Sequence, residues 1–377
     1  MRLSYESAAS PLLDWTASRI PDPVIRLRYL RAAAPAVLEP KRRRPRAFGW
    51  LVAGLVALVA PLAPRFLSAT EPRVPPPAPV SAQAAVPVAG HAPDLPPDVW
   101  LVEKTEQFES YSNGLRIENR YAVTGRPRSY VAFPLSHPES RGRAAAEPVG
   151  IVFHTTESLL APFEPAQNAH LKQVGESLLE YVRRRGAYNF VIDRFGRVFR
   201  VVRESDAANH AGHSVWADGE SIYINLNDSF LGVSFEARTG ASRDLFEFNP
   251  AQIRAGAMLT EMLRARYRIA ARNCVTHAQV SVNPANMQIG YHTDWASDFP
   301  FDRLGLPDNY AGPLPSLPLF GFRYDSGFRE RAGPRLTRSA ELGERQLIAQ
   351  AAAAGLPIET YRKSLNVRYS RLAASIN

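Results

Sequence analysis

At 377 residues the chain is long enough for two ordinary domains or for one domain with long appendages, and its 32 prolines favour the second arrangement. The net charge of +9 is no nucleic-acid footprint: residues 1–47 hold ten Lys or Arg against Glu6, Asp14, Asp22 and Glu39, so this tail carries +6 and the other 330 residues are only mildly basic. The single cysteine, Cys274, excludes an intrachain disulfide and reads as a small buried hydrophobe, so an outward-facing domain must rely on its core or on a metal.

Residues 1–46 read as a basic cytoplasmic tail ending in Lys41, Arg42, Arg43, Arg44 and Arg46. Ala47 to Pro64 is uncharged and mostly aliphatic, and with Phe66 and Leu67 it just reaches the roughly 20 apolar residues that a bilayer crossing needs. A transmembrane anchor over 47–67 is therefore expected, with everything after it on the outer side because the Lys and Arg stay inside. A cleaved signal peptide, with Ala82-Gln83-Ala84 as the cleavage site, is the alternative. Residues 68–97 are rich in Pro and Ala and read as a semi-rigid spacer.

A folded region is expected over 98–312. Gln107 to Thr124 reads as a hairpin about Ser-Asn-Gly-Leu at 112–115, and Val149 to Phe153 as a strand buried on both faces. Leu171, Val174, Leu178, Leu179 and Val182 fall at helical spacing within Ala166 to Arg185. Tyr188 to Val202 alternates around Asp193-Arg194-Phe195-Gly196, a hairpin turn, and Leu231 to Ala237 is a further strand. Pro250 to Tyr267 reads as a helix with Pro250 in its first turn. Strands interleaved with long helices describe an α/β domain with a mixed central sheet covered on its faces. Residues 313–377 form an extension with helical candidates over Ser339 to Ala354 and Ile358 to Ala373, suited either to a hairpin docked on the domain or to a wall-binding appendage.

The chemistry lies at element ends. His154 closes the strand that begins at Val149, His277 follows a short strand over Asn273 to Thr276, and Asp294 comes 17 residues later with His292 two positions before it. Taken alone, a histidine at the His154 position is more often a hydrogen-bonded core residue than a ligand. Together, two neutral imidazoles and a carboxylate with an open fourth position form the ligand set of a hydrolytic zinc site, which brings the pKa of its water down to about 7.

Five segments add a resemblance. IVFHTTES from 151, YNFVIDRFGRVF from 188, NHAGHS from 209, LGVSFEA from 231 and THAQVS…HTDW from 276 are similar, in the same order, to the motifs of the type 2 N-acetylmuramoyl-L-alanine amidases, which share a fold with the phage lysozyme-type amidases and the peptidoglycan recognition proteins. The resemblance covers about residues 149–305. It implies zinc as cofactor, His154, His277 and Asp294 as ligands, and Tyr188 as the residue over the metal. It also implies peptidoglycan or a muropeptide as substrate, with His210, His213 and Thr155 lining its groove. Departures accompany it. His292 stands where the family has lysine, as a proton donor expected to titrate near neutrality. Ser234 stands where the family has a glutamate, leaving Glu236, two residues on and on the same strand face, as a base or as a purely structural carboxylate. About seven extra residues separate the second and third ligands, and Trp295-Ala296 replaces Pro-Gly, so His292 and Asp298 are alternatives to Asp294. His91, His137 and His170 read as surface residues. The whole implies a zinc amidase anchored in a bacterial inner membrane and facing the periplasm or wall. A non-catalytic peptidoglycan-binding module or a zinc peptidase on another amide are the rivals.

Overall fold

The computed structural model describes residues 94–238 and 249–376. The expected tail, anchor and most of the spacer lie outside them, as does His91. Among the described residues no helix is long and apolar enough to cross a membrane.

In chain order the strands of three or more residues are β1 (Leu101–Lys104), β2 (Phe108–Tyr111), β3 (Arg116–Glu118), β4 (Tyr130–Pro134), β5 (Arg143–Ala145), β6 (Gly150–Thr155), β7 (Phe190–Ile192), β8 (Val198–Arg200), β9 (Val215–Ala217), β10 (Ser221–Ile224), β11 (Phe230–Phe235) and β12 (Cys274–Thr276). The longer helices are α1 (Asn168–Arg185), α2 (Pro250–Tyr267), α3 (Pro334–Ala353) and α4 (Ile358–Ala374). The main sheet runs β1-β2-β3-β8-β7-β11-β6-β12, and β9-β10-β4-β5 form a second, antiparallel sheet. β7, β11, β6 and β12 are parallel neighbours, whereas β1 to β3 and the β7–β8 hairpin pair antiparallel, so the sheet is mixed as expected. Every residue of β6 and β11 is buried, the pattern of parallel strands covered on both faces.

Register decides which side chains reach the site. Ser234 pairs with His154 and Val191, and Val275 pairs with Val152, so His154, Ser234 and Val191 share one face. On the opposite face Ile151, Phe153, Leu231, Val233, Phe235, Phe190 and Ile192 form one core with Ile253, Leu259, Met262 and Leu263 of α2. Local sequence starts and stops the helices. α2 opens with Asn249, whose side chain accepts from the Gln252 N–H at 2.9 Å, followed by Pro250 at the first helical position. α1 ends on Gly186 in the left-handed region (φ 55°), with Arg183, Arg184 and Arg185 in its last turn, where cations favour the helix dipole.

Of the expected extension over 313–377, the described residues 313–376 share the main core. Leu314, Leu317, Phe320, Phe322, Leu336, Ala340, Tyr369 and Leu372 belong to the same apolar cluster as Phe153 and Phe299. α3 also starts at Pro334, five residues before the expected Ser339, because that proline can occupy its first turn.

Candidate metal centre

β6 ends at the sheet's carboxyl edge and delivers His154 there, almost wholly buried. β12 stops at Thr276, which caps the short helix His277–Val280 with Gln279 as the reciprocal partner, and this sharp turn presents His277 beside His154. The two rings lie 4.5 Å apart, centroid to centroid. Asp294 arrives from a loop whose backbone is tied to both neighbours: its carbonyl accepts from Ala278 N at 3.2 Å, and Tyr310 Oη, 3.1 Å from Thr276 Oγ1, donates to the Trp295 carbonyl at 2.5 Å.

The result is a compact trio. His154 Nδ1 lies 3.0 Å from Asp294 Oδ2, His277 Nδ1 lies 2.8 Å from Asp294 Oδ1, and the donor atoms of all three residues fall within 4.8 Å of one another. Burial alone would push the Asp294 carboxyl up, but His277 and His154 outweigh it and hold it well below the usual carboxylate range. Burial, with His277 next to it, lowers His154 to about 4 against the pull of Asp294. His277 Nε2 sits 3.3 Å from the Ala211 carbonyl, which can only accept, so Nε2 carries the proton and Nδ1 is the ligating face. A carboxylate and two imidazole Nδ1 atoms converging in one buried spot are a donor set that fits a zinc ion.

Around the trio, Tyr188 places its ring 5.1 Å from that of His154 from a backbone in the left-handed region (φ 60°). Burial and the Asp294 charge raise its phenol above the ordinary range, so it is an O–H donor at neutral pH. His292 stacks on His277 at 4.5 Å and 19°. Asp298 is exposed and outside the cluster, whereas Asp294 lies within reach of both histidines.

The other candidates meet their expectations only in part. His292 does not titrate near neutrality: partial burial and His277 lower it to about 4. Glu236 lies just beyond β11 and turns to the β7–β8 turn, where it accepts from Arg194 N at 3.1 Å. Thr155 is buried and donates its hydroxyl to Glu157 at 2.5 Å, so it does not line a groove. His210 is buried behind His154, with Nδ1 3.1 Å from His154 Nε2. His213 is exposed and lines a cleft of about 520 Å³ with Asn225, Asn227 and Ser370. His137 and His170 are exposed, and Cys274 is wholly buried with its thiol pushed up to about 12 by burial. Sequence reading missed the supporting parts, Asn227 and Tyr310, because a polar side chain that binds a distant backbone leaves no periodic signal.

Comparison with known proteins finds similarity over part of the chain. Residues 144–294 match the family described as N-acetylmuramoyl-L-alanine amidase. The chain is 34% identical over 89 residues to the N-acetylmuramoyl-L-alanine amidase AmiD of Escherichia coli, a stretch covering 22% of this chain and 31% of that protein. Among solved structures, AmiD from E. coli in complex with anhydro-N-acetylmuramic acid-L-Ala-D-gamma-Glu-L-Lys aligns with a TM-score of 0.36 and 22% identity, over 58% of this chain and 91% of that one. AmpDh3 from Pseudomonas aeruginosa in complex with anhydromuramic pentapeptide aligns with a TM-score of 0.33 and 20% identity, over 59% and 92%. The Drosophila peptidoglycan recognition protein SD aligns with a TM-score of 0.26 and 16% identity, over 42% and 84%. Over residues 144–294 the chain is thus similar to the N-acetylmuramoyl-L-alanine amidase family, and it spans about a third of the length of the curated relative it matches.

Proposed function

We propose that this protein is a zinc-dependent N-acetylmuramoyl-L-alanine amidase, hydrolysing the amide between the lactyl group of N-acetylmuramic acid and the L-alanine of the stem peptide. The observation that carries the reading is the convergence of His154, His277 and Asp294, with Tyr188 and His292 beside them. Zinc held there would supply Lewis acidity and a water acidic enough to react at neutral pH. The chain's own groups account for the remaining steps. Asp294 stays ionised, with one carboxylate oxygen facing the Nδ1 of each imidazole across the place where the ion would sit. Tyr188 offers its O–H to the carbonyl oxygen as negative charge develops on it, the interaction that accelerates acyl transfer. His292, neutral at pH 7, is free to take the proton of the attacking water and return it to the departing alanine nitrogen. Loss of a ligand in other members of such a fold would leave a binding module, and the complete trio favours the enzyme.

The basic cluster at 41–46 followed by the apolar run 47–67 supports a single-pass location in a bacterial inner membrane, with the amidase on the periplasmic side.

Digestion of purified peptidoglycan tests the activity. With zinc, mass spectrometry is expected to find stem peptides bearing a free L-alanine amino terminus, and chelator or His277→Ala is expected to abolish them. Wall binding without a new amine would leave a recognition module, and an internal peptide cut would leave a zinc peptidase.

A further inference from the structure

We propose that the dipeptide His210–Ala211 is the positioning element of the metal centre, fixing both ligand imidazoles in the tautomer that presents Nδ1 to the ion. The proposal rests on the zinc reading of the trio.

Two backbone carbonyls set the proton positions. Ala211 O accepts from His277 Nε2 at 3.3 Å, which assigns the proton of that ring to Nε2. Phe230 O lies 3.3 Å from His210 Nε2 and also accepts from the buried Arg128 guanidinium at 3.0 Å, so His210 must donate through Nε2. His210 Nδ1 is then an acceptor, and the atom facing it at 3.1 Å is His154 Nε2. His154 therefore also carries its proton on Nε2. Its Nδ1, like that of His277, points at an Asp294 oxygen, and any further proton on either ring sits where a cation would replace it.

The dipeptide is itself held. Asn227 Oδ1 accepts from His210 N at 2.9 Å and from Ala211 N at 2.6 Å, which aims the Ala211 carbonyl while the His210 ring lies edge-on to His154. Gly232 makes the room: a Cβ there would lie 2.6 Å from His210 Cγ, closer than real contacts allow. Outer partners of this sort typically change metal affinity by about 10–100-fold when removed.

The zinc dissociation constant of the full-length protein, measured by competition with a chromophoric chelator, tests the assignment. His210→Ala is expected to weaken zinc binding by about 10–100-fold, whereas His210→Asn, which keeps an acceptor near the Nδ1 position, is expected to stay within about threefold of the parent. Thermal unfolding of the zinc-free variants checks that the fold is intact. Should His210→Ala not fold, Asn227→Ala carries the same expected loss. Parental zinc affinity in a folded His210→Ala would overturn the positioning role alone. A parent protein that binds no zinc would overturn the metal-centre reading beneath it.

Discussion

Glu236 and Asp294 are both buried carboxylates, and their surroundings push them in opposite directions. Asp294 faces two imidazoles and stays ionised, whereas Glu236, in an apolar setting beside Asp193 and with the Arg194 N–H as its partner, is pushed up to about 7 chiefly by burial. A folded-state pKa above the unfolded value near 4.5 means that the native state holds the proton more tightly. The associated stability, roughly 3 kcal/mol, is present below pH 4.5 and is lost as pH rises to 7. Glu236→Gln is therefore expected to leave stability unchanged at pH 5, to raise it by about 2–3 kcal/mol at pH 8, and to retain amidase activity. Denaturant unfolding at the two pH values checks this. A parent protein whose stability is flat between pH 5 and 8 would contradict it, and a large loss of activity would restore Glu236 as the base.

Elements were legible in the sequence where periodicity is strong. α1 and α2 lie within a few residues of their expected bounds because Gly186, Asn249 and Pro250 punctuate them, and the carboxyl ends of β6 and β12 follow from the histidines that close buried apolar runs. The antiparallel β9-β10-β4-β5 sheet was not foreseen, since its strands are short and their pairing joins residues about 90 apart in sequence. The role of Glu236 stays open between base and structural carboxylate in the sequence for a related reason: β11 ends at Phe235, so an alternation argument that runs one residue past a strand end no longer fixes direction. α4 was foreseen as a helix but not as core. Tyr369 packs edge-on against Phe320 and Phe322 at 5.5 and 5.0 Å, and Arg368 and Arg371 reach Glu139 before β5. Tyr369→Ala is accordingly expected to cost about 3–5 kcal/mol, the usual loss for a large aromatic side chain removed from a packed core. Thermal unfolding of that variant at parental temperature would return α4 to the status of an appendage.

At the scale of the whole molecule, the fold and the site are coupled through the loop that carries Asp294. That segment is irregular from Gly290 to Phe299, with Trp295 and Asp298 both in the left-handed region, and it carries Asp294 into the trio while Trp295 and Phe299 join the aromatic cluster of Phe153 and Phe235. With one buried cysteine and no disulfide, nothing covalent holds it; Tyr310 and the contacts of Trp295 do so from the core side. From the site side each Asp294 carboxylate oxygen faces an imidazole Nδ1, so an ion bound between them would hold the loop. An ion that binds the folded trio and not the unfolded chain stabilises the protein by mass action, by about 2.7 kcal/mol at a hundredfold excess over its dissociation constant. For a domain of this size that corresponds to a rise in melting temperature of about 5–10 °C. Calorimetry with zinc and with excess chelator is expected to show this difference in the parent and none in His277→Ala. Because His277 also contacts the Ala211 carbonyl and the Asp294 loop, the variant's own melting point is expected to fall below that of the zinc-free parent. A melting temperature indifferent to zinc in the parent would separate the trio from metal binding, whatever its geometry.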